Sequence, residues 1–153
     1  MIELNDISVG HRKTLFHADN LVFEAGQLIV LIGPNGSGKT TFFNTLLGTH
    51  PVLSGEITVR GKELAKLSKI DRVKSFALVP SRFNGVDHLT VRQLIALGRS
   101  PYTNMLNRLN REDNRKVDEV MEQLNIGHLA NMPTTQISDG ERQIAMIGKA
   151  LAQ

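Results

Sequence analysis

Residues 28–48 place an apolar run, a glycine-rich octet and a helical period in immediate succession, and few folds accommodate that order. The run Leu28-Ile29-Val30-Leu31-Ile32 lies between Gly26 and Gly33-Pro34, and its β-branched composition predicts a buried parallel strand. The octet Gly33-Pro34-Asn35-Gly36-Ser37-Gly38-Lys39-Thr40 fits the phosphate-binding pattern G-x-x-x-x-G-K-[ST]. Chance produces that pattern in on the order of one chain in two hundred of this length, so it is a specific signal. Phe42, Phe43, Leu46 and Leu47 then recur at helical spacing, with Gly48 as a stop. A loop in this position faces the free N–H groups and positive dipole end of the helix behind it, which is the geometry of an anion site.

The residue types assign the roles. Glycines let backbone N–H groups close on phosphate oxygens in conformations that a Cβ would penalise. Lys39 is expected to reach the β- and γ-phosphates of a nucleoside triphosphate, and Thr40 to give its hydroxyl to Mg2+. Gly33, Asn35, Gly36, Ser37, Gly38, Lys39, Thr40 and Thr41 form the expected phosphate site.

The 153 residues, 41 % of them hydrophobic, suffice for one domain with a core. The absence of cysteine removes disulfides, thiolate metal sites and cysteine nucleophiles, and agrees with a reducing cytoplasm. MIELNDISVG carries two acidic residues and no secretory pattern, and no apolar run approaches the roughly 18 residues of a membrane-spanning helix. The net charge of +3 is too small to predict nucleic-acid binding. The stretch Arg60, Lys62, Lys66, Lys69, Arg72 and Lys74, interrupted by Glu63 and Asp71, reads as a solvated face. His11, His17, His50, His88 and His128 lack metal-ligand spacing, and no metal site made of them is expected.

Around the octet, Ile2, Leu4, Ile7 and Val9, followed by Leu15 to Phe23, suggest early antiparallel strands. Gly55 to Gly61 reads as a short strand, and Phe76-Ala77-Leu78-Val79, stopped by Pro80, as a buried one. Thr90 with Gln93 caps a helix carrying Val91, Leu94 and Ile95. A polar stretch, Ser100 to Asn110, follows, and Asn110 caps a second helix with Val117, Val120, Met121 and Leu124 on one face. After a connector from Ile126 to Thr135, Ser138 and Glu141 form a capping box for a last helix whose apolar face is expected at residues 144, 147, 148 and 151. The helical group reads as an insertion into an α/β core. The expected organisation is a β-rich part with the loop core at 1–80, a helical subdomain at 81–136, and a final motif and helix at 137–153.

GPNGSGKT together with ISDGERQ at 137–143 and GKALAQ at 148–153 resembles the nucleotide-binding domain of ATP-binding-cassette (ABC) proteins, whose signature LSGGQ precedes a helix ending near A-[RK]-A-L. LTVRQLIALGRSPY at 89–102 is most similar to importer ATPases serving iron siderophores, haem and cobalamin. The resemblance covers essentially the whole chain. It implies a P-loop NTPase fold with N-terminal antiparallel strands, ATP and Mg2+ as ligands, and a homodimer or paired ATPase domain beneath transmembrane permease subunits on the cytoplasmic face of the membrane. Ser138, Asp139, Gly140 and Glu141 would then act in trans, with the Ser138 hydroxyl and backbone N–H groups donating to the γ-phosphate held by the other domain.

Measured against that family, His11 stands near the place of the aromatic residue that stacks on adenine, with Phe16 as a weaker candidate. Ser81 replaces the glutamine expected to contact the metal and sense the permease, and Asp139 replaces a signature glycine. The apolar strand ending in Asp-Glu, whose Asp would hold magnesium and whose Glu would act as general base, is expected after Gln153, so no catalytic residue is assigned within the chain. Val117-Asp118-Glu119 has the letters but lies in a helical period and reads as a solvated face. The chain is therefore expected to be the N-terminal part of a longer domain. The alternatives are an ATP-binding module without turnover and a soluble ABC-type ATPase. The D-x-x-G and N-K-x-D strings of small GTPases do not occur, and the G-x-G-x-x-[GA] of dinucleotide-binding folds fails at Thr41.

Overall fold

The computed structural model describes residues 1–103 and 108–153, so the polar stretch 100–110 lies partly outside the described residues. The chain divides into two compact units, Met1–Phe76 and Ala77–Gln153.

In the first unit, β1 (Ile2–Gly10) pairs antiparallel with β2 (Thr14–Ala18), β3 (Leu21–Phe23) and β4 (Ser54–Val59), and β4 pairs with β5 (Lys62–Glu63). The early antiparallel strands are thus present. The loose alternation of β1 has a cause: the register to β4 shifts between Asn5 and Ser8, and Asp6 takes a left-handed φ of 51°. The bulge turns Leu4, Ile7 and Val9 to the same buried face, which strict alternation would have split. Gly55, at φ 79°, sits against this bulge, where an added Cβ would lie 2.3 Å from the Asp6 carbonyl oxygen. Phe42 and Leu46 of α1 (Lys39–Leu46) complete the core with Ile57 and Val59. The helix stops as expected: Leu47 closes it and Gly48, at φ 74°, donates to the Thr45 carbonyl. A single 3-10 turn (Leu64–Lys66) and α2 (Lys69–Ser75), capped by Ser68, follow.

The second unit is helical. α3 (Val91–Ala96), α4 (Arg111–Gln123) and α5 (Asp139–Ala152) begin at Thr90, Asn110 and Ser138 with complete capping boxes, as the sequence predicts for the first and last and partly for α4, where Asp113 is the reciprocal partner. Val91, Leu94, Ile95, Val117, Val120 and Met121 fill the core between them.

Two strand expectations and one face are corrected. Residues 28–32 form no strand, and Leu28 and Ile32 are 92 % and 87 % exposed. Phe76 caps the C-terminus of α2 while residues 77–80 form no strand, and Leu78 is exposed. A parallel strand needs a neighbour to accept its ladder hydrogen bonds, and among the described residues no segment pairs with either. In α5 the buried face is Ala145, Met146, Gly148 and Ala152, whereas Ile144, Ile147 and Leu151 are exposed. Small residues let α5 approach α3 closely: a Cβ on Gly148 would lie 3.1 Å from Ile95 Cδ1. The close approach uses the small face and leaves the branched one outside.

Candidate functional site

The octet builds its concavity from local backbone. Ser37 N–H donates to the Pro34 carbonyl at 3.3 Å, closing a turn, and Gly36 and Gly38 take φ of 82° and 89°. Gly38 is the position where glycine is required twice over. It has the left-handed φ, and an added Cβ would lie 3.0 Å from Leu15 Cβ and 3.1 Å from Phe16 Cβ.

Gly38 is also the N-cap of α1, and it offers no side chain to the first turn. Among the described residues α2, α3, α4 and α5 all receive a side-chain cap from Ser, Thr or Asn, and α1 does not. Its first-turn N–H groups, those of Lys39, Thr40 and Thr41, therefore have no capping oxygen from the chain itself. Lys39 folds back over the loop, donating from Nζ to the Gly33 carbonyl at 2.7 Å, the Pro34 carbonyl at 2.6 Å and Ser37 Oγ at 3.4 Å. These are neutral acceptors for a full charge, so an anion entering the loop would compete for the ammonium on favourable terms. Of the eight expected phosphate-site residues, Gly33, Asn35, Gly36 and Thr40 are exposed, Ser37, Lys39 and Thr41 half-buried, and Gly38 buried.

His11 is exposed at the β1–β2 turn, and its ring meets that of His50 edge-on at 4.5 Å. His50 Nε2 donates to the Gly10 carbonyl at 2.6 Å, which anchors the pair. Phe16 packs against Phe42 at 5.1 Å and belongs to the core. His17 lies 3.2 Å from Asp19, two residues along, and 3.6 Å from Asp6, which the pairing of β1 with β2 brings to this exposed cluster of one imidazole and two carboxylates.

Ser138, Asp139, Gly140 and Glu141 open α5 in the second unit. Ser138 donates from its hydroxyl (2.7 Å) and its backbone N–H (2.8 Å) to the same Glu141 carboxylate oxygen, while Glu141 N–H donates to Ser138 Oγ at 3.3 Å. The Ser138 hydroxyl, and then its N–H, hold the Glu141 carboxyl below its usual range. Gly140 faces open space. The Asp139 side chain is 97 % exposed and pairs with Arg142 at 2.6 Å, so its charge is turned along the helix. Ser81, also exposed, lines a cavity of about 410 Å3 with Arg82, Phe83, Asn84, Asp139, Arg142 and Gln143. The structure therefore brings Ser81 and the ISDGERQ segment together, whereas the phosphate loop and His11 belong to the other unit.

Sequence reading missed two organising side chains here. Arg142 donates to the carbonyls of Thr134 and Ile137 as well as to Asp139, and Gln143 donates to the Pro80 carbonyl at 3.2 Å, next to Ser81. Apart from Asp139, their partners are main-chain atoms at irregular separations, for which residue periodicity carries no signal. Asp118 contacts Arg92, and Glu119 pairs with Arg115 at 3.5 Å, in keeping with a solvated helix face.

Known proteins resemble this chain in sequence and fold. The chain is 31 % identical over 153 residues to the iron(3+)-hydroxamate import ATP-binding protein of Bacillus subtilis (strain 168), covering 99 % of this chain and 57 % of that one. It is 33 % identical over 154 residues to the petrobactin import ATP-binding protein of Bacillus anthracis, covering 100 % and 57 %. The chain thus spans a little over half the length of these relatives. A solved ATP-binding subunit of an ABC transporter superposes with a TM-score of 0.79 at 24 % identity, over 99 % of this chain and 62 % of that one, and shares its fold. Residues 16–153 match the family model for the ABC transporter, and the chain belongs to that family.

Proposed function

We propose that this chain provides the ATP-gripping part of an ABC importer subunit that drives uptake of an iron chelate, haem or a cobalamin-like solute. The observation that carries the reading is the uncapped first turn of α1 beneath the Lys39 ammonium, whereas the other α-helices among the described residues are all side-chain capped. Residues 33–41 would hold the phosphate tail of ATP, with Thr40 offering its hydroxyl to Mg2+ and His11 lying against the adenine. When bound, magnesium would neutralise phosphate charge and fix the tail's orientation. Ser138 and Gly140 would donate to nucleotide held by a second copy or a paired ATPase domain. Ser81, beside Gln143 and Arg142, would carry the contact with the metal or with the permease.

The substrates named for the relatives, iron(3+)-hydroxamate and petrobactin, support the cargo class. Asp118 and Glu119 sit in surface ion pairs on a solvated helix face, and the role proposed for residues 1–153 is binding and sensing of nucleotide.

Titration with a fluorescent ATP analogue tests the site. Lys39→Ala is expected to lower affinity at least about a hundredfold, and Thr40→Ala to remove most of its magnesium dependence. Unchanged affinity in Lys39→Ala would remove the loop from the site.

A further inference from the structure

The donors proposed to meet a phosphate at the start of α5 already hold an anion. Ser138 gives both its hydroxyl and its backbone N–H to one oxygen of Glu141, at 2.7 and 2.8 Å, so a carboxylate three residues along the same helix sits where an incoming phosphate oxygen would be bound. The second carboxylate of the segment, Asp139, makes no such contact and is tied to Arg142, which is itself fixed by the Thr134 and Ile137 carbonyls. The two acidic residues at this helix start therefore differ: one is parked on a cation, the other occupies the donors.

We propose that Glu141 is an internal competitor for the Ser138 donors, and that nucleotide held by a second copy engages this segment only when the Glu141 side chain swings away. The inference rests on the reading of Ser138 and Gly140 as donors in trans. Bringing a phosphate to an occupied donor pair requires breaking two hydrogen bonds to a charged acceptor and placing two like charges close together until one leaves. Gly140, with open space around it, leaves room for that movement and keeps its own N–H clear of the side-chain cap, which goes to Glu141 N–H. A glutamine at 141 would preserve the capping geometry through its amide oxygen and remove the charge, so Glu141 sets how readily the segment accepts a partner's nucleotide without contributing to the grip of the phosphate loop.

The test separates the two levels. Binding of ATP to the chain's own loop is read by the fluorescent analogue, and ATP-dependent self-association by sedimentation, for the wild type, E141Q, D139N, S138A and the S138A/E141Q pair, each checked for unchanged helical circular dichroism. The expected result is that E141Q strengthens ATP-dependent self-association about tenfold with analogue affinity unaltered, that D139N strengthens it less than E141Q does, and that the E141Q gain vanishes in the S138A background. An E141Q variant that associates no better than the wild type, or one that keeps its gain without the Ser138 hydroxyl, overturns the proposal. Analogue binding without ATP-dependent association in any variant overturns it through the trans reading, while loss of analogue binding itself would instead strike the phosphate-loop assignment.

Discussion

Arg99 donates from Nε to Asp113 at 2.9 Å and from Nη1 to the Ala152 carbonyl at 2.8 Å, and its guanidinium lies 4.1 Å from the centre of the Tyr102 ring. One side chain thus joins the GRSPY segment to the start of α4 and the end of α5. Asp113 is only 2 % exposed; burial pushes its carboxyl up, but the Asn110 N–H and the Arg99 guanidinium outweigh that and hold it below the ordinary 3.8. Because the folded value is lowered, the group stabilises the native state fully above its unfolded value and loses that contribution as pH falls through the folded one. Arg99→Ala leaves a buried carboxylate with its cap alone. We expect a loss of about 3 kcal/mol at neutral pH by urea unfolding, together with a shallower acid limb in the stability–pH profile. Equal midpoints and equal acid limbs in variant and wild type would show that the pair is dispensable.

At the scale of elements, exposed apolar chain is the main consequence of the unpaired segment 28–32. Leu28 and Ile32 contribute β-branched or bulky surface with no ladder partner, the condition under which edge-to-edge association occurs. Replacing both with lysine is expected to reduce dye binding to exposed apolar surface and slow aggregation, with the urea midpoint unchanged; a lowered midpoint would mean that the segment is packed in solution. The same segment marks where sequence reading stops. Helix starts were legible because a capping box is written in residues three apart, as Thr90 and Gln93 or Ser138 and Glu141 show. The turn conformation of 33–38 was legible because positive φ at Gly36 and Gly38 favours glycine at those offsets. Strand pairing of 28–32 and 76–79 was not, since hydrophobic run length reports a wish to be buried and says nothing about which segment supplies the ladder. The face of α5 was misread for a related reason: Ala145, Gly148 and Ala152 are weakly hydrophobic, and their value lies in letting α3 come close.

Across the molecule, a β-rich unit carrying the octet 33–40 and a helical unit carrying the ISDGERQ segment each possess a core of their own. The chain belongs to the ABC transporter family; under the proposed function the first unit grips its own nucleotide and the second meets nucleotide held by a second copy. No helix among the described residues is long and apolar enough to cross a membrane. Everything proposed for transport depends on the loop at 33–40 recognising a magnesium-bound polyphosphate. Isothermal calorimetry of MgATP into the folded chain measures that recognition directly: a single-site isotherm that disappears in Lys39→Ala is expected, whereas absent heat with the wild type, or undiminished binding by Lys39→Ala, would contradict it.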